Sequence, residues 1–258
     1  MLAYEHAARV AVVLVRARNP NNIGAVARAM HDFGFSDLRI VNDYTVPFEN
    51  AKSAIDASAV LASAKTCASV ADAVADCTLV MGTTAVGERV LQHPLYTLAE
   101  AAPLVRGELS RDDEAGRVAL LFGSEKTGLS NEELSHCNWL VTIPMQQYEG
   151  ARHPSMNLGQ AAAVCLYELV RSSGEVRSTG ADAPATAGER ERLTALLGEV
   201  LRESGYTARH PSNCGEEQIR RLAVRMGVSS NDALVWMGIL RQMLWKIRSS
   251  MQERGSFT

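Results

Sequence analysis

Polar residues that could hold a phosphate occur first in residues 19–29, which read Asn-Pro-Asn-Asn-Ile-Gly-Ala-Val-Ala-Arg-Ala. If Ile23 marks the buried face of a helix, Arg28 lies about 140° round that helix, outside the apolar stripe. A guanidinium in that place can bind a phosphate through two parallel hydrogen bonds. The alternative interpretation is that the asparagines only cap a helix and that Arg28 is a solvated surface charge.

The second segment with chemical potential covers residues 121–130, Leu-Phe-Gly-Ser-Glu-Lys-Thr-Gly-Leu-Ser. Its pattern predicts a strand, a glycine turn and then a helix capped by Ser130, with Glu133 three residues further on. Such a turn exposes backbone N–H and C=O groups to a ligand. It is not a phosphate-binding loop of the Walker type, because Lys126 precedes Gly128 instead of following it. The alternative is a plain connection between a strand and a helix.

Two further polar turns follow predicted strands. One contains Ile143 and Pro144 and leads to Ser-Met-Asn-Leu-Gly at residues 155–159, and the other is Gly-Thr-Thr at residues 82–84. Each turn taken alone is typical of an ordinary helix cap or loop. If all four turns lie at the same edge of one sheet, they form a single pocket.

Alternating strands and helices predict how these turns are positioned. Short apolar runs predict strands at residues 10–15, 38–41, 78–81, 118–122 and 140–143. Helical periodicity predicts helices after the first strand, with Asn22 as the cap and Gly34 at the end, and at residues 69–75, 97–105 and 155–170. The alternation indicates an α/β fold with a mostly parallel sheet.

Residues 172–188 are small and polar and lack periodicity, which predicts a linker between two domains. The larger domain covers residues 1–171. Residues 189–258 show three helical patterns and predict a small α-helical C-terminal domain. The charge is divided in the same way, since residues 189–258 carry +3 and residues 1–188 carry −6.

Composition excludes several classes of protein. The chain is 47% hydrophobic and 21% charged, as is ordinary for a globular protein, and no apolar run reaches the roughly 20 residues of a membrane span. Five cysteines without a CxxC motif indicate reduced thiols and a cytoplasmic protein. The six histidines show no ligand spacing, so we expect no metal.

In this order and spacing, the motifs resemble those of the SpoU branch of the SPOUT methyltransferases over residues 8–170. Residues 23–30, residues 131–134 and the helical extension most resemble the members that methylate nucleotide 32 of the tRNA anticodon loop. The resemblance implies a SPOUT-type knotted, Rossmann-like domain with a trefoil knot, a homodimer, and methyl transfer from S-adenosylmethionine to a ribose 2′-hydroxyl.

The resemblance also implies the residues of the site. Cofactor contacts, mostly from the backbone, are expected from Gly82, Thr83, Thr84, Phe122, Gly123, Glu125, Gly128, Ile143, Pro144, Ser155, Met156 and Leu158. The expected catalytic residues are Arg28, Asn22, Glu125, Ser155 and Asn157. Because a guanidinium has no acceptor and a pKa above about 12, we expect Arg28 to clamp phosphate instead of acting as a base.

Residues of the C-terminal helices could contact RNA together with Arg28. Arg241, Trp245 and Arg248 fall within about 60° on the last helix, and Arg221 and Arg225 share a face one helix earlier. The alternative is that Trp245 packs at the domain rim and the arginines are solvated. We expect deletion of residues 172–258 to weaken tRNA binding and spare cofactor binding.

Two other functions stay open at this point. One is ribosomal RNA 2′-O-methylation by an enzyme of the same branch, because the motifs report ribose chemistry and not the RNA that carries the ribose. The other is a non-catalytic RNA-binding protein with this fold. The sequence leaves the choice between cytidine and uridine open as well.

Overall fold

The computed structural model describes residues 4–42, 57–85, 91–111, 116–146, 155–171 and 182–255. These residues form a seven-stranded sheet in which every strand pairing is parallel. The strands are β1 (Val10–Val15), β2 (Asp37–Val41), β3 (Lys65–Cys67), β4 (Leu79–Thr83), β5 (Leu95–Thr97), β6 (Val118–Phe122) and β7 (Trp139–Thr142).

Spatial order in the sheet is β3-β2-β1-β6-β4-β7-β5. Strands β1 and β6 lie side by side near the middle, with Val10 opposite Val118 and Leu14 opposite Phe122. All residues of both strands are buried. Their continuous apolar sequences follow from this position, because a central strand of a parallel sheet is covered by helices on both faces.

Helices of the α/β unit are α1 (Tyr4–Ala7), α2 (Pro20–Asp32), α3 (Ser58–Ala62), α4 (Val70–Val74), α5 (Leu98–Leu109), α6 (Asn131–Ser135) and α7 (Leu158–Val170). Helices α2, α5 and α7 pack on the face that carries Val12 and Leu14. Helices α4 and α6 pack on the opposite face, which carries Val13. The sheet therefore separates two apolar cores, and the predicted α/β fold with a parallel sheet is confirmed.

Two helix starts differ from the prediction. Helix α2 is capped by Asn19, whose side-chain oxygen accepts a hydrogen bond from the Asn21 N–H at 3.0 Å, so Asn22 lies inside the first turn. Helix α7 begins at Leu158, three residues later than predicted, because the side-chain oxygen of Asn157 caps it. The edge strands β3 and β5 were not predicted, since each has only three residues and is partly exposed.

Beyond residue 181 the described chain is helical. It forms α8 (Ala187–Glu203), α9 (Tyr206–Arg209), α10 (Glu216–Arg225) and α11 (Ser230–Gly255), with a 3-10 turn at Pro211–Asn213. Helix α8 packs against both α10 and α11, and a small core forms around Leu193, Met237 and Leu240. No helix of the described ranges is long and apolar enough to cross a membrane.

Hydrogen bonds join these helices to the α/β unit, at the segment between α4 and β4. The N–H of Gly188 donates to the carbonyl oxygen of Ala75 at 2.8 Å, and the buried Arg190 donates to the carbonyl oxygen of Thr78 at 3.2 Å. The first two residues of α8 thus fall within the linker predicted at 172–188, of which residues 172–181 lie outside the described part. The division into two domains stays a prediction.

Candidate active site

A pocket of about 670 Å³ lies where β4, β6 and β7 end, at the carboxyl edge of the sheet. Parallel strands present their following loops at this edge, which is where ligands bind in open α/β sheets. All four polar turns contribute to the pocket. Its lining is Asn22, Thr83, Thr84, Ala85, Phe122, Gly123, Ser124, Glu125, Lys126, Thr127, Gly128, Leu129, Leu134, Val141, Ile143, Met145, Ser155, Met156, Asn157, Leu158, Ala161 and Cys165.

Most residues predicted for the site from the sequence lie in this lining, and three do not. Gly82 lies outside the lining and packs against Cys137, since a Cβ at residue 82 would lie only 2.9 Å from Sγ of Cys137. Pro144 lies outside the lining although its neighbour Ile143 is part of it. Arg28 is exposed on α2, six residues or about 9 Å along the helix from Asn22, and it does not line the pocket of its own chain.

The turn after β6 is tightly folded. The Gly128 N–H donates to the carbonyl oxygen of Ser124 at 2.8 Å, and Gly128 has a φ of 65°, which favours glycine. At Gly123 a Cβ would lie 2.2 Å from the backbone carbon of Gly128, so no side chain fits there. The turn therefore requires glycine at both positions, at Gly128 because of its backbone conformation and at Gly123 because a side chain has no room.

Three polar side chains form a chain of hydrogen bonds along one wall. The side-chain amide of Asn157 donates to Oδ1 of Asn22 at 3.1 Å, and the side-chain amide of Asn22 donates to Oε1 of Glu125 at 3.0 Å. The N–H groups of Arg18 and Asn19 also donate to Glu125, at 3.4 and 3.3 Å. These contacts bring together residues from the three separate motifs.

The hydrogen bonds decide the charge state of Glu125. Partial burial by itself would raise the pKa of this carboxyl group, but hydrogen bonds from Asn22 and from backbone N–H groups outweigh burial and lower the pKa. Glu125 is therefore an anion at neutral pH. It is also a weak proton acceptor, because a low pKa and occupied lone pairs both disfavour protonation.

An ion pair that was not predicted from the sequence stabilises the turn after β6. Arg16 has a φ of 54°, and its guanidinium donates to Glu133 at 2.6 Å and to the carbonyl oxygen of Gly128 at 3.1 Å. Glu133 also closes the capping box of α6 with Ser130. Burial would raise the pKa of Glu133, but Arg16 and Ser130 lower it. The signal in the sequence is a cation directly after a buried strand.

The remaining pocket wall is apolar. Large side chains from β6, from the turn after it and from α6 and β7 contribute to it, namely Phe122, Leu129, Leu134 and Val141. Among the lining residues, which all belong to the described ranges, Lys126 is the one cation and Glu125 the one carboxylate. A pocket with an apolar wall and a rim of backbone groups suits an uncharged heterocycle joined to a polar chain.

The residues predicted to contact RNA divide into two groups. Arg225, Arg241 and Trp245 are exposed, whereas Arg248 pairs with Glu199 and Glu203 on α8.

The structure contradicts the prediction that Arg221 contacts RNA. Its side chain is only 7% exposed, and its guanidinium contacts Gln92 and Glu217. Since α10 turns this residue toward the α/β unit, Arg221 is not available to RNA. In the ranges that the structure describes, no three His, Cys, Asp or Glu side chains come together as a metal site requires.

Comparison with known proteins identifies the class to which this fold and pocket belong. The chain belongs to the SpoU rRNA Methylase family, whose model matches residues 9–167. Within that family, it is 32% identical to tRNA (cytidine/uridine-2′-O-)-methyltransferase TrmJ of Cronobacter sakazakii, over 95% of this chain and 98% of that protein.

Other relatives extend the similarity beyond the α/β unit. The chain is 32% identical to tRNA (cytidine/uridine/adenosine-2′-O-)-methyltransferase TrmJ of Pseudomonas aeruginosa, over 91% of this chain and 93% of that protein. The crystal structure of TrmJ from Z. mobilis ZM4 superposes with a TM-score of 0.73 at 30% identity, covering 90% of this chain and 98% of that one. The similarity therefore includes the C-terminal helices.

Proposed function

We propose that this protein transfers a methyl group from S-adenosylmethionine to a ribose 2′-hydroxyl of tRNA, at nucleotide 32 of the anticodon loop. The observation that carries the proposal is the hydrogen-bonded chain of Asn157, Asn22 and Glu125 at the pocket of a SpoU family member. The names of the relatives support tRNA over ribosomal RNA as substrate, and they match this chain over nearly its full length.

The pocket fits S-adenosylmethionine, which supplies an electrophilic methyl group when bound. Its volume of about 670 Å³ is within the range of small-molecule sites. Leu129, Leu134 and Val141 would offer an apolar wall to the adenine. The backbone of residues 123–128 and the polar Thr83 and Thr84 offer hydrogen-bonding groups to the ribose and the amino acid part.

Residues of this chain orient the reacting ribose. Displacement at a methyl carbon requires the attacking oxygen in line with the leaving group, so positioning supplies much of the acceleration. The hydrogen bond between Asn157 and Asn22 orients both side chains, and Ser155 lines the same pocket. Glu125 anchors Asn22 and the start of α2, and its low pKa leaves release of the hydroxyl proton to solvent or to another neighbour.

The proposal includes a homodimer through α2 and α7, with the knotted topology of the family. Val164 and Tyr167 are 36% and 52% exposed on one face of α7, and Tyr167 lies against Phe33, the residue directly after α2. An apolar face of this kind supports pairing with a second copy. Arg28 would then enter the other copy's pocket and clamp the phosphate next to the reacting ribose.

The C-terminal helices would hold the rest of the tRNA. They carry the positive part of the charge, and Arg225, Arg241 and Trp245 are exposed on them. Phosphate contacts and base stacking are the contributions that such residues make to RNA binding. Five free cysteines fit an enzyme of the cytoplasm, where its RNA substrate is found.

A labelling experiment tests the proposed reaction. The purified protein is incubated with methyl-labelled S-adenosylmethionine and unmodified bulk tRNA, and the labelled nucleoside is mapped after nuclease digestion. We expect label on the 2′-oxygen of a pyrimidine at nucleotide 32. Label on a base, or on ribosomal RNA alone, contradicts the proposal, and failure to bind the cofactor in a titration favours a non-catalytic RNA-binding protein.

A further inference from the structure

Helix α11 carries a stripe of large apolar side chains that faces solvent. Its members are Val235, Trp236, Ile239 and Met243, and they are between 41% and 61% exposed. At about 100° per residue, they fall within one arc of roughly 100°. Met237, which packs toward α8, lies on a different arc whose centre is about 120° away. A contiguous apolar stripe on a helix surface indicates a partner that covers it.

Charges of opposite sign bound the stripe at its two ends. Asp232 precedes Ile239 by seven residues and Lys246 follows it by seven, so each lies about 10 Å from Ile239 along the axis. Both residues are exposed and lie within the arc of the stripe. A parallel copy of the helix would set Asp232 against Asp232. An antiparallel copy sets Asp232 against Lys246, so the stripe is complementary to itself in that direction only.

We propose that the stripe of Val235, Trp236, Ile239 and Met243 docks antiparallel on the same stripe of a second copy of this chain. The two-fold axis passes through Ile239. Val235 of each copy lies opposite Met243 of the other, and Asp232 of each copy lies opposite Lys246 of the other. Pairing of one patch on itself is the commonest arrangement of soluble oligomers.

RNA fits this stripe less well than a second copy does. Between Val235 and Met243 the arc contains no lysine or arginine, because Arg241 lies on another face of α11. Phosphate neutralisation dominates the affinity of proteins for RNA, so a stripe whose one lysine, Lys246, lies at its end and is balanced by Asp232 at the other end gains little from it. The proposed pairing depends neither on methyl transfer nor on the contact between α2 and α7.

Disulfide trapping tests the pairing and its direction. All variants carry Cys67→Ser and Cys214→Ser, because these are the cysteines that are not fully buried. The double variant Val235→Cys, Met243→Cys and the single variant Ile239→Cys are expected to form covalent dimers under mild oxidation. Val235→Cys alone is expected not to do so, since two-fold antiparallel packing keeps the two copies of residue 235 apart.

A further substitution distinguishes disulfides that form in a specific contact of the two stripes from disulfides that form by random collision of two chains. Ile239→Asp added to the double-cysteine variant is expected to slow disulfide formation by about 30-fold or more, as loss of a central contact residue does. Leu234→Asp is the matched control, because Leu234 is 60% exposed on another face of α11. It should change the rate by no more than about twofold, as surface substitutions away from a contact do.

Two results overturn the proposal. One is trapping of Val235→Cys alone at the rate of the double variant, which indicates parallel pairing. The other is no trapping in any variant at micromolar protein; if Ile239→Asp also weakens tRNA binding, the stripe is assigned to RNA. Failure of methyl transfer in the labelling experiment leaves the trapping result unaffected, so the two proposals fail separately.

Discussion

The side-chain amide of Asn22 donates a hydrogen bond to Oε1 of Glu125 at 3.0 Å and so joins two motifs that are 103 residues apart. This bond fixes which way the amide of Asn22 points, because its oxygen accepts from Asn157 at the same time. Glu125 therefore has a structural role in the pocket, because its oxygens already accept hydrogen bonds from Asn22 and from backbone N–H groups. The arrangement suits a residue that orients the substrate-binding asparagines and does not itself take up a proton.

Substitution of Glu125 tests that role. Glu125→Gln keeps one oxygen that can accept from Asn22, but it removes the negative charge and puts an N–H₂ group where Oε2 accepts from the Arg18 N–H. We expect kcat to fall by about 10- to 100-fold, the equivalent of losing one hydrogen bond to a charged group. Methyl-transfer kinetics with a cofactor titration check this. A base role would instead give a pH-rate profile whose lower limb disappears in the variant.

The ion pair of Arg16 and Glu133 predicts a pH dependence of stability. The pKa of Glu133 is lowered in the folded protein, so its contribution is present above the unfolded pKa and is lost as pH falls through the folded pKa. Glu133→Gln is expected to cost about 1.5 to 3 kcal/mol at pH 7. The difference from the wild type should shrink toward zero in acid, as measured by denaturant unfolding at several pH values. A constant difference would contradict the prediction.

Arg28 is expected to serve the pocket of the other copy. Arg28→Ala and Asn157→Ala should each abolish methyl transfer, and a mixture of the two chains should recover about a quarter of the wild-type rate, because half of randomly formed dimers contain one intact site. Recovery is measured after co-expression with two different tags. If Arg28 acts within its own chain, the mixture stays inactive.

The type of cation at residue 28 distinguishes a clamp from a base. A lysine cannot make the two parallel hydrogen bonds of a guanidinium, so Arg28→Lys should keep cofactor affinity and lose most of its activity. Full activity of this variant contradicts the clamp.

Exposed arginines of the C-terminal helices are expected to bind phosphate. Arg225→Ala and Arg241→Ala should each weaken tRNA binding at all sequences and lower the salt dependence of log K by about one unit of slope. Filter binding at several salt concentrations measures this. Arg221→Ala is the matched control, because its buried side chain contacts Gln92, and we expect lost stability with little change in the salt slope. Point variants are preferable to deletion of residues 172–258, since Gly188 and Arg190 donate hydrogen bonds to Ala75 and Thr78 of the α/β unit.

Local sequence determined the elements whose burial and caps are complete within a few residues. Strands β1 and β6 were predicted to the residue, because burial on both faces imposes an unbroken apolar run. The capping box of Ser130 and Glu133 is local as well. The four polar turns were found for the same reason, since glycine and small polar residues mark the ends of strands.

Tertiary structure alone decided which of these elements meet. The strand order, the burial of Arg221, the partner of Asn22 and the pairing of Arg16 with Glu133 all depend on contacts between residues far apart in the chain. Periodicity reports whether a side chain faces a core, but it does not report which neighbour it finds there. For this reason the residues of the pocket could be named from the sequence, while the hydrogen bonds that set their charge and orientation could not.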